Sequence, residues 1–137
     1  MAKKYGTFYI LRNGDMSEFN LISDTVDLRG LDTYKIIATW ANGSGTPVGQ
    51  LLLEASTDYR TYETILESEQ TIADDVGFHI WDFPYNPVAL IRAKYIRSTG
   101  SGTMQIFIQV GGADERNVGI TIGHRRIPYL NEADDGQ

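Results

Sequence analysis

The sequence predicts an all-β protein, a two-sheet antiparallel β-sandwich of jelly-roll type with extended termini. Apolar side chains recur at every second residue through several short segments, the spacing that places alternate side chains on opposite faces of a strand. Fourteen glycines and eight tyrosines accompany few helix-favouring runs. Clusters of Gly, Pro, Asn, Asp and Ser punctuate the chain between the alternating segments, as in sandwiches built of many short strands.

The stretch from Val26 to Asp58 organises the rest. Thr33 to Ala41 alternates, with Tyr34, Ile36, Ala38 and Trp40 on one face and Lys35, Ile37 and Thr39 on the other. Asn42-Gly43-Ser44-Gly45-Thr46-Pro47 breaks the run with turn-forming residues, and Val48 to Ser56 resumes it with Leu51, Leu53 and Ala55 on one face. The two strands are expected to form a hairpin-like unit whose Tyr34, Trp40 and leucines fill the core.

In chain order, Thr7 to Arg12 is a strand closed by the turn Asn13-Gly14-Asp15. It reads as an edge strand of the domain, and the alternative is an arm that crosses to a neighbouring subunit. Glu18 to Ile22 and Thr25 to Leu28 are short strands, Thr57 to Thr61 is a tight loop, and Tyr62 to Leu66 pairs back. Glu67 to Val76 is acidic and aperiodic, which predicts an exposed loop, with one helical turn as the alternative. Gly77 to Phe83 is a strand with Phe78, Ile80 and Asp82 on one face and His79, Trp81 and Phe83 on the other, ended by Pro84 and Pro87. Val88 to Ser98, a Thr99-Gly100-Ser101-Gly102 hairpin turn, and Thr103 to Val110 follow, the last with Met104, Ile106, Ile108 and Val110 aligned. These assignments divide the chain into an arm or edge strand at 1–15, a sandwich at 16–112 and an extended tail at 113–137, with one further strand at Val118 to Ile122.

With 137 residues the chain is long enough for one buried core. It has no cysteine, so disulfides and thiolate metal sites are excluded. The N-terminal residues do not resemble a signal peptide, and no apolar run approaches the ~20 residues of a membrane helix, so no membrane partner is expected. A formal net charge of -6 argues against free nucleic acid as a partner.

Chemistry-bearing motifs are sparse. His79 lies between aromatic residues and reads as packed, while His124, beside Arg125 and Arg126, falls in a segment read as too mobile for catalysis. No nucleophile elbow, dinucleotide fingerprint or phosphate loop occurs. Asp74-Asp75 and Asp134-Asp135 are adjacent pairs whose side chains diverge in a strand, so they read as solvated charges, leaving loop-bound calcium as the remaining metal alternative. No cofactor, catalytic residue or metal ligand is expected. Trp40, Trp81, Tyr59, Tyr62 and Tyr85 are the aromatics able to stack on sugars, and of these Tyr59 and Tyr62, flanking a loop, are the candidate glycan contacts. Arg92 and Lys94 project from one strand face, either to pair with a neighbouring strand's acid or to meet an acidic partner subunit.

Three segments together resemble small structural proteins of tailed-bacteriophage virions: VDLRGLDTYKIIATW, GTPVGQLLLEASTDYRTYETI and AKYIRSTGSGTMQIFIQV, spanning roughly residues 26 to 110. The chain departs from that pattern at Tyr62, where tryptophan is more usual, and has no counterpart to it after Gly111. The resemblance implies a jelly-roll module used as a capsid decoration (cement) protein, or as a tail or fibre component, in a virion assembled in the host cytoplasm. The implied partners are the major capsid protein or other virion subunits, including further copies of the chain itself. Candidate subunit contacts are Lys3, Lys4, Tyr5, Phe8 and Tyr9 at the start, Arg92 and Lys94, and Arg125, Arg126, Ile127 and Tyr129 near the end. A carbohydrate-binding module is the rival expectation, and a hydrolase the third.

Overall fold

The computed structural model describes residues 4–28, 33–83, 90–112 and 119–128, with their side chains except at 4, 5, 33, 83, 111, 112, 119, 120 and 126–128. Its strands are β1 (Lys4–Asp15), β2 (Asn20–Ile22), β3 (Val26–Asp27), β4 (Thr33–Asn42), β5 (Val48–Ser56) and β6 (Glu63–Thr64). They continue as β7 (Gln70–Ile72), β8 (Val76–Phe83), β9 (Leu90–Thr99), β10 (Gly102–Gly112), β11 (Gly119–Ile122) and β12 (Arg125–Pro128). One sheet runs β1-β10-β4-β8, and the other runs β12-β11-β3-β9-β5-β6, with β2 also on β9 and β7 also on β5. Every pairing is antiparallel. The chain crosses between sheets from β1 to β2, β3 to β4, β4 to β5, β7 to β8, β8 to β9, β9 to β10 and β10 to β11. That repeated crossing is the jelly-roll arrangement, and the all-β sandwich expected from the alternation is what the molecule has.

The crossings correct two local expectations. β4 and β5 are not a hairpin: β4 pairs with β10 and β8, whereas β5 pairs with β9, β6 and β7. The Thr99–Gly102 turn likewise joins strands of opposite sheets. Gly100, at φ 77, has no room for a Cβ because the Thr46 carbonyl and Pro47 lie against it. Ser101 Oγ accepts the Ser44 N–H at 2.8 Å, so the two loops close one end of the sandwich together.

Alternation did identify the core. Phe8, Ile10, Tyr34, Ile36, Ala38, Trp40, Met104, Ile106, Ile108 and Val110 of the four-stranded sheet meet Val26, Leu51, Leu53, Ile91, Ala93 and Tyr95 of the other. A large apolar side chain taken fully out of water stabilises by about 1.5–3 kcal/mol, so this interior is the main force holding the layers together. Burial pushes the Tyr34 hydroxyl up to about 12, so it stays protonated inside.

Residues 4–15 form an edge strand against β10, and Phe8, expected as a subunit contact, is buried in the core. The expected tail contributes β11 and β12, with β11 joined to β3, so the sandwich extends past residue 112. Residues 67–76 are not simply an exposed loop. β7 pairs with β5, Ile72 is buried, and the buried Ser68 Oγ accepts the Leu53 N–H at 3.1 Å and donates to the Ile65 carbonyl at 2.7 Å. Trp81 Nε1–H donates to the Ser68 carbonyl at 2.9 Å, pinning this segment over the core edge.

Candidate functional site

The outward side of the four-stranded sheet is built by the residues that alternation leaves out of the core. Register places Tyr9 beside Phe107, Phe107 beside Ile37 and Ile37 beside Ile80, so one row of large apolar side chains crosses all four strands. Tyr9 and Phe107 have ring centroids 5.7 Å apart, and the Arg12 guanidinium lies 4.0 Å from the Tyr9 ring centre. On β8 the apolar surface widens: Val76 is 68%, Phe78 67% and Ile80 43% exposed. One side of the row is bounded by Thr7, Gln109, Lys35 and Asp82, in register across the strands, with Lys35 Nζ 3.8 Å from Asp82. An apolar strip rimmed by polar groups is the composition of a protein contact surface.

The outward side of the other sheet is occupied differently. Glu54, nearly buried on β5, accepts from Arg92 Nε–H at 2.8 Å and stands 3.7 Å from Lys94 Nζ. The Arg92 guanidinium lies 3.5 Å from the centre of the Tyr62 ring, and the Tyr62 hydroxyl shares a 2.7 Å hydrogen bond with Thr25 Oγ1. Arg92 and Lys94 are therefore engaged within the fold, and Tyr62 is held by its ring face and by its hydroxyl.

The loop after β5 is a built turn. Asp58 Oδ1 accepts the N–H groups of Arg60 and Thr61, each at 2.8 Å, and these bonds hold its carboxyl below the usual aspartate range. Tyr59 takes φ 65, and its ring lies 4.2 Å from that of His124, in the turn between β11 and β12. His124 is thus fixed against a packed strand pair rather than in a mobile tail. Beside this loop a pocket of about 340 Å3 is lined by Ala55, Ser56, Thr57, Thr61, Glu63, Thr64 and Ile65. His79 makes an edge-on contact with Trp81 at 4.8 Å, and partial burial lowers its pKa.

The sequence-derived contacts are thus dispersed. Tyr9 is on the apolar row, Phe8 is inside, and Arg125 is exposed at the start of β12. Lys4, Tyr5, Arg126 and Ile127 have strand positions, with side chains outside the described residues, as Lys3 and Tyr129 are altogether. Sequence reasoning missed Ile37, Phe107, Phe78 and Ile80 as a surface and Glu54 as an anchor. The available signal was the presence of large apolar residues on both faces of β4, β8 and β10. Among the described residues no group of three or more His, Cys, Asp or Glu is placed to hold a metal ion.

No protein-family model matches this chain, and no curated protein matches it in sequence. Among solved structures it is similar to the SPBc2 prophage-derived protein YomS, with TM-score 0.51 and 9% identity over 80% of this chain and 96% of that one. A carbohydrate binding module from glycoside hydrolase family 9 (Cel9A) of Ruminococcus flavefaciens FD-1 gives TM-score 0.42 and 15% identity over 77% and 97%. The enzymatically active domain of Bacteriophage CBA120 tailspike protein 4 gives 0.39 and 12% over 68% and 13%. The likeness to the prophage-derived protein is one of fold.

Proposed function

We propose that this chain is a non-enzymatic structural protein of a phage particle, a capsid decoration protein that attaches to the major shell protein through the outward face of its four-stranded sheet. The carrying observation is the row Tyr9–Phe107–Ile37–Ile80, apolar and outward across the whole sheet. The fold shared with a prophage-derived protein and the segments that resemble virion proteins support the setting. Repetition over a symmetric shell makes modest individual contacts sufficient, because each docked copy adds to the same lattice. Purified protein mixed with undecorated shells should co-sediment at a fixed ratio, and Ile37→Glu, which charges the middle of the row, should abolish that binding. Wild-type protein that binds no shell counts against the proposal. A tail or fibre location is the variant in which the same face meets a tail subunit.

A glycan-binding role is the second reading, favoured by the pocket beside the loop after β5, whose lining includes Ser56, Thr57, Thr61, Thr64 and Glu63 as polar partners for sugar hydroxyls. Glycan-array binding that Glu63→Gln removes would establish it, and an array blank at high protein concentration would dismiss it.

A further inference from the structure

A sheet edge presents unpaired backbone N–H and C=O groups, and proteins guard such edges with bulges, proline, charge or short length. Among the described residues five edges are guarded in these ways. β1 carries two register shifts against β10, between Tyr9 and Leu11 and between Leu11 and Gly14, and Asn13 there has φ 55. β2 and β7 have three residues and β6 has two. β12 has four, beginning with Arg125-Arg126 and closing at Pro128.

Apart from one carboxylate, Asp82, β8 has none of these devices. It runs eight residues, VGFHIWDF, in unbroken register with β4 from Val76 to Phe83, and β4 is its one partner strand among the described residues. It contains no proline, lysine or arginine, and its outward residues Val76, Phe78 and Ile80 are the most exposed apolar ones among the described side chains of the sheet.

We propose that β8 is a self-association edge: two copies of this chain pair β8 with β8 antiparallel about a two-fold axis, making their four-stranded sheets continuous. An antiparallel edge is complementary to itself, which is the condition for an isologous two-fold contact. Opposed residues must point to the same face, so the register advances in steps of two. Centring it on His79 sets Phe78 opposite Ile80 of the other copy and Gly77 opposite its Trp81. Large aromatic and branched side chains then cover each other outside, and Trp81 meets a residue without a side chain inside. Asp82, the one carboxylate of β8, is countered by Lys35, and antiparallel pairing carries the two Asp82 side chains to opposite ends of the contact, each opposite Val76 and one position from the other copy's Asp75, which accepts a hydrogen bond from Thr46 Oγ1. Alternate pairs exchange two bonds, so the edge supplies about six or eight backbone hydrogen bonds.

This pairing does not depend on attachment to a shell. Ile37 lies on β4, one strand in from the edge, so Ile37→Glu leaves dimerisation intact while removing shell binding. A dimer that binds no shell counts against the attachment alone, and a monomer that binds shells counts against the pairing alone. The test is sedimentation velocity on the full chain from sub-micromolar to hundreds of micromolar. A monomer–dimer equilibrium is expected, weakened at least tenfold by Phe78→Glu. The chain has no native cysteine, so the double variant Phe78→Cys, Ile80→Cys should form a disulfide-linked dimer under mild oxidation, and Thr7→Cys on β1 should not. A monomer at every concentration, a dimer indifferent to Phe78→Glu, or a dimer that does not cross-link through positions 78 and 80 would overturn the proposal.

Discussion

Arg92 donates its Nε–H to Glu54 Oε1 at 2.8 Å across β9 and β5, onto a carboxylate that is almost out of water. The pair is half of a larger arrangement. Lys94 approaches the other Glu54 oxygen at 3.7 Å, and Tyr62 covers the guanidinium. Removing one member of a buried ionic group leaves the others desolvated and unpaired, which is costlier than the net worth of the pair.

Glu54→Ala should therefore destabilise by about 2–3 kcal/mol, given that Arg92 and Lys94 keep partial access to water. Arg92→Ala should cost less than Glu54→Ala, because Lys94 still faces the remaining carboxylate. Urea unfolding of the three proteins checks the order, and equal midpoints would show that Glu54 is not an anchor.

Ser68→Ala should cost about 1–3 kcal/mol, since it leaves the buried Leu53 N–H without its acceptor. Trp81→Phe keeps an aromatic ring but loses the bond to the Ser68 carbonyl, and about 1 kcal/mol is expected from that loss. The two changes act on one segment, so the double variant should fall short of the sum. Additive chemical denaturation would contradict the pinning of residues 65–72 by Trp81.

His79 titrates below the usual histidine range because burial disfavours its charged form. The unfolded chain then binds more protons than the folded one over the interval between the two values. Stability should be full above about pH 6.5, the unperturbed value, and fall as pH drops from there toward the folded value. His79→Gln should flatten that part of the melting-temperature profile, as followed by circular dichroism from pH 5 to 8. An unchanged slope would assign the titration elsewhere.

Asp58 gives a second test of the same sign, further into acid. Its carboxyl is held low by the Thr61 and Arg60 N–H groups, so the turn is intact above the ordinary aspartate value and opens as pH falls through the lowered one. Amide exchange at Arg60 and Thr61 should accelerate there, and Asp58→Asn, which retains an oxygen acceptor without the charge, should remove the pH dependence.

The alternation of Tyr34, Ile36, Ala38 and Trp40 gave the inward face of β4 correctly, and that of Met104 to Val110 did the same for β10, because the in-or-out periodicity of a strand is local. Which strand lies beside which is not local. The loop from Asn42 to Pro47 has the composition of a hairpin turn, yet it carries the chain from one sheet to the other. His124 reads from its basic neighbours as part of a mobile tail, and its contact with Tyr59 depends on residues 65 positions apart in the chain being brought together. The apolar row was visible as single residues, Phe78, Ile80, Ile37 and Phe107, but became a surface once register aligned them.

The most direct measurement of the proposed role is hydrogen exchange on the chain, free and bound to undecorated shells. Added protection at β4, β8 and β10, around Ile37, Ile80 and Phe107, is the predicted result. Protection confined to the loop around Tyr59 and Glu63, with the four-stranded sheet unchanged, would contradict it.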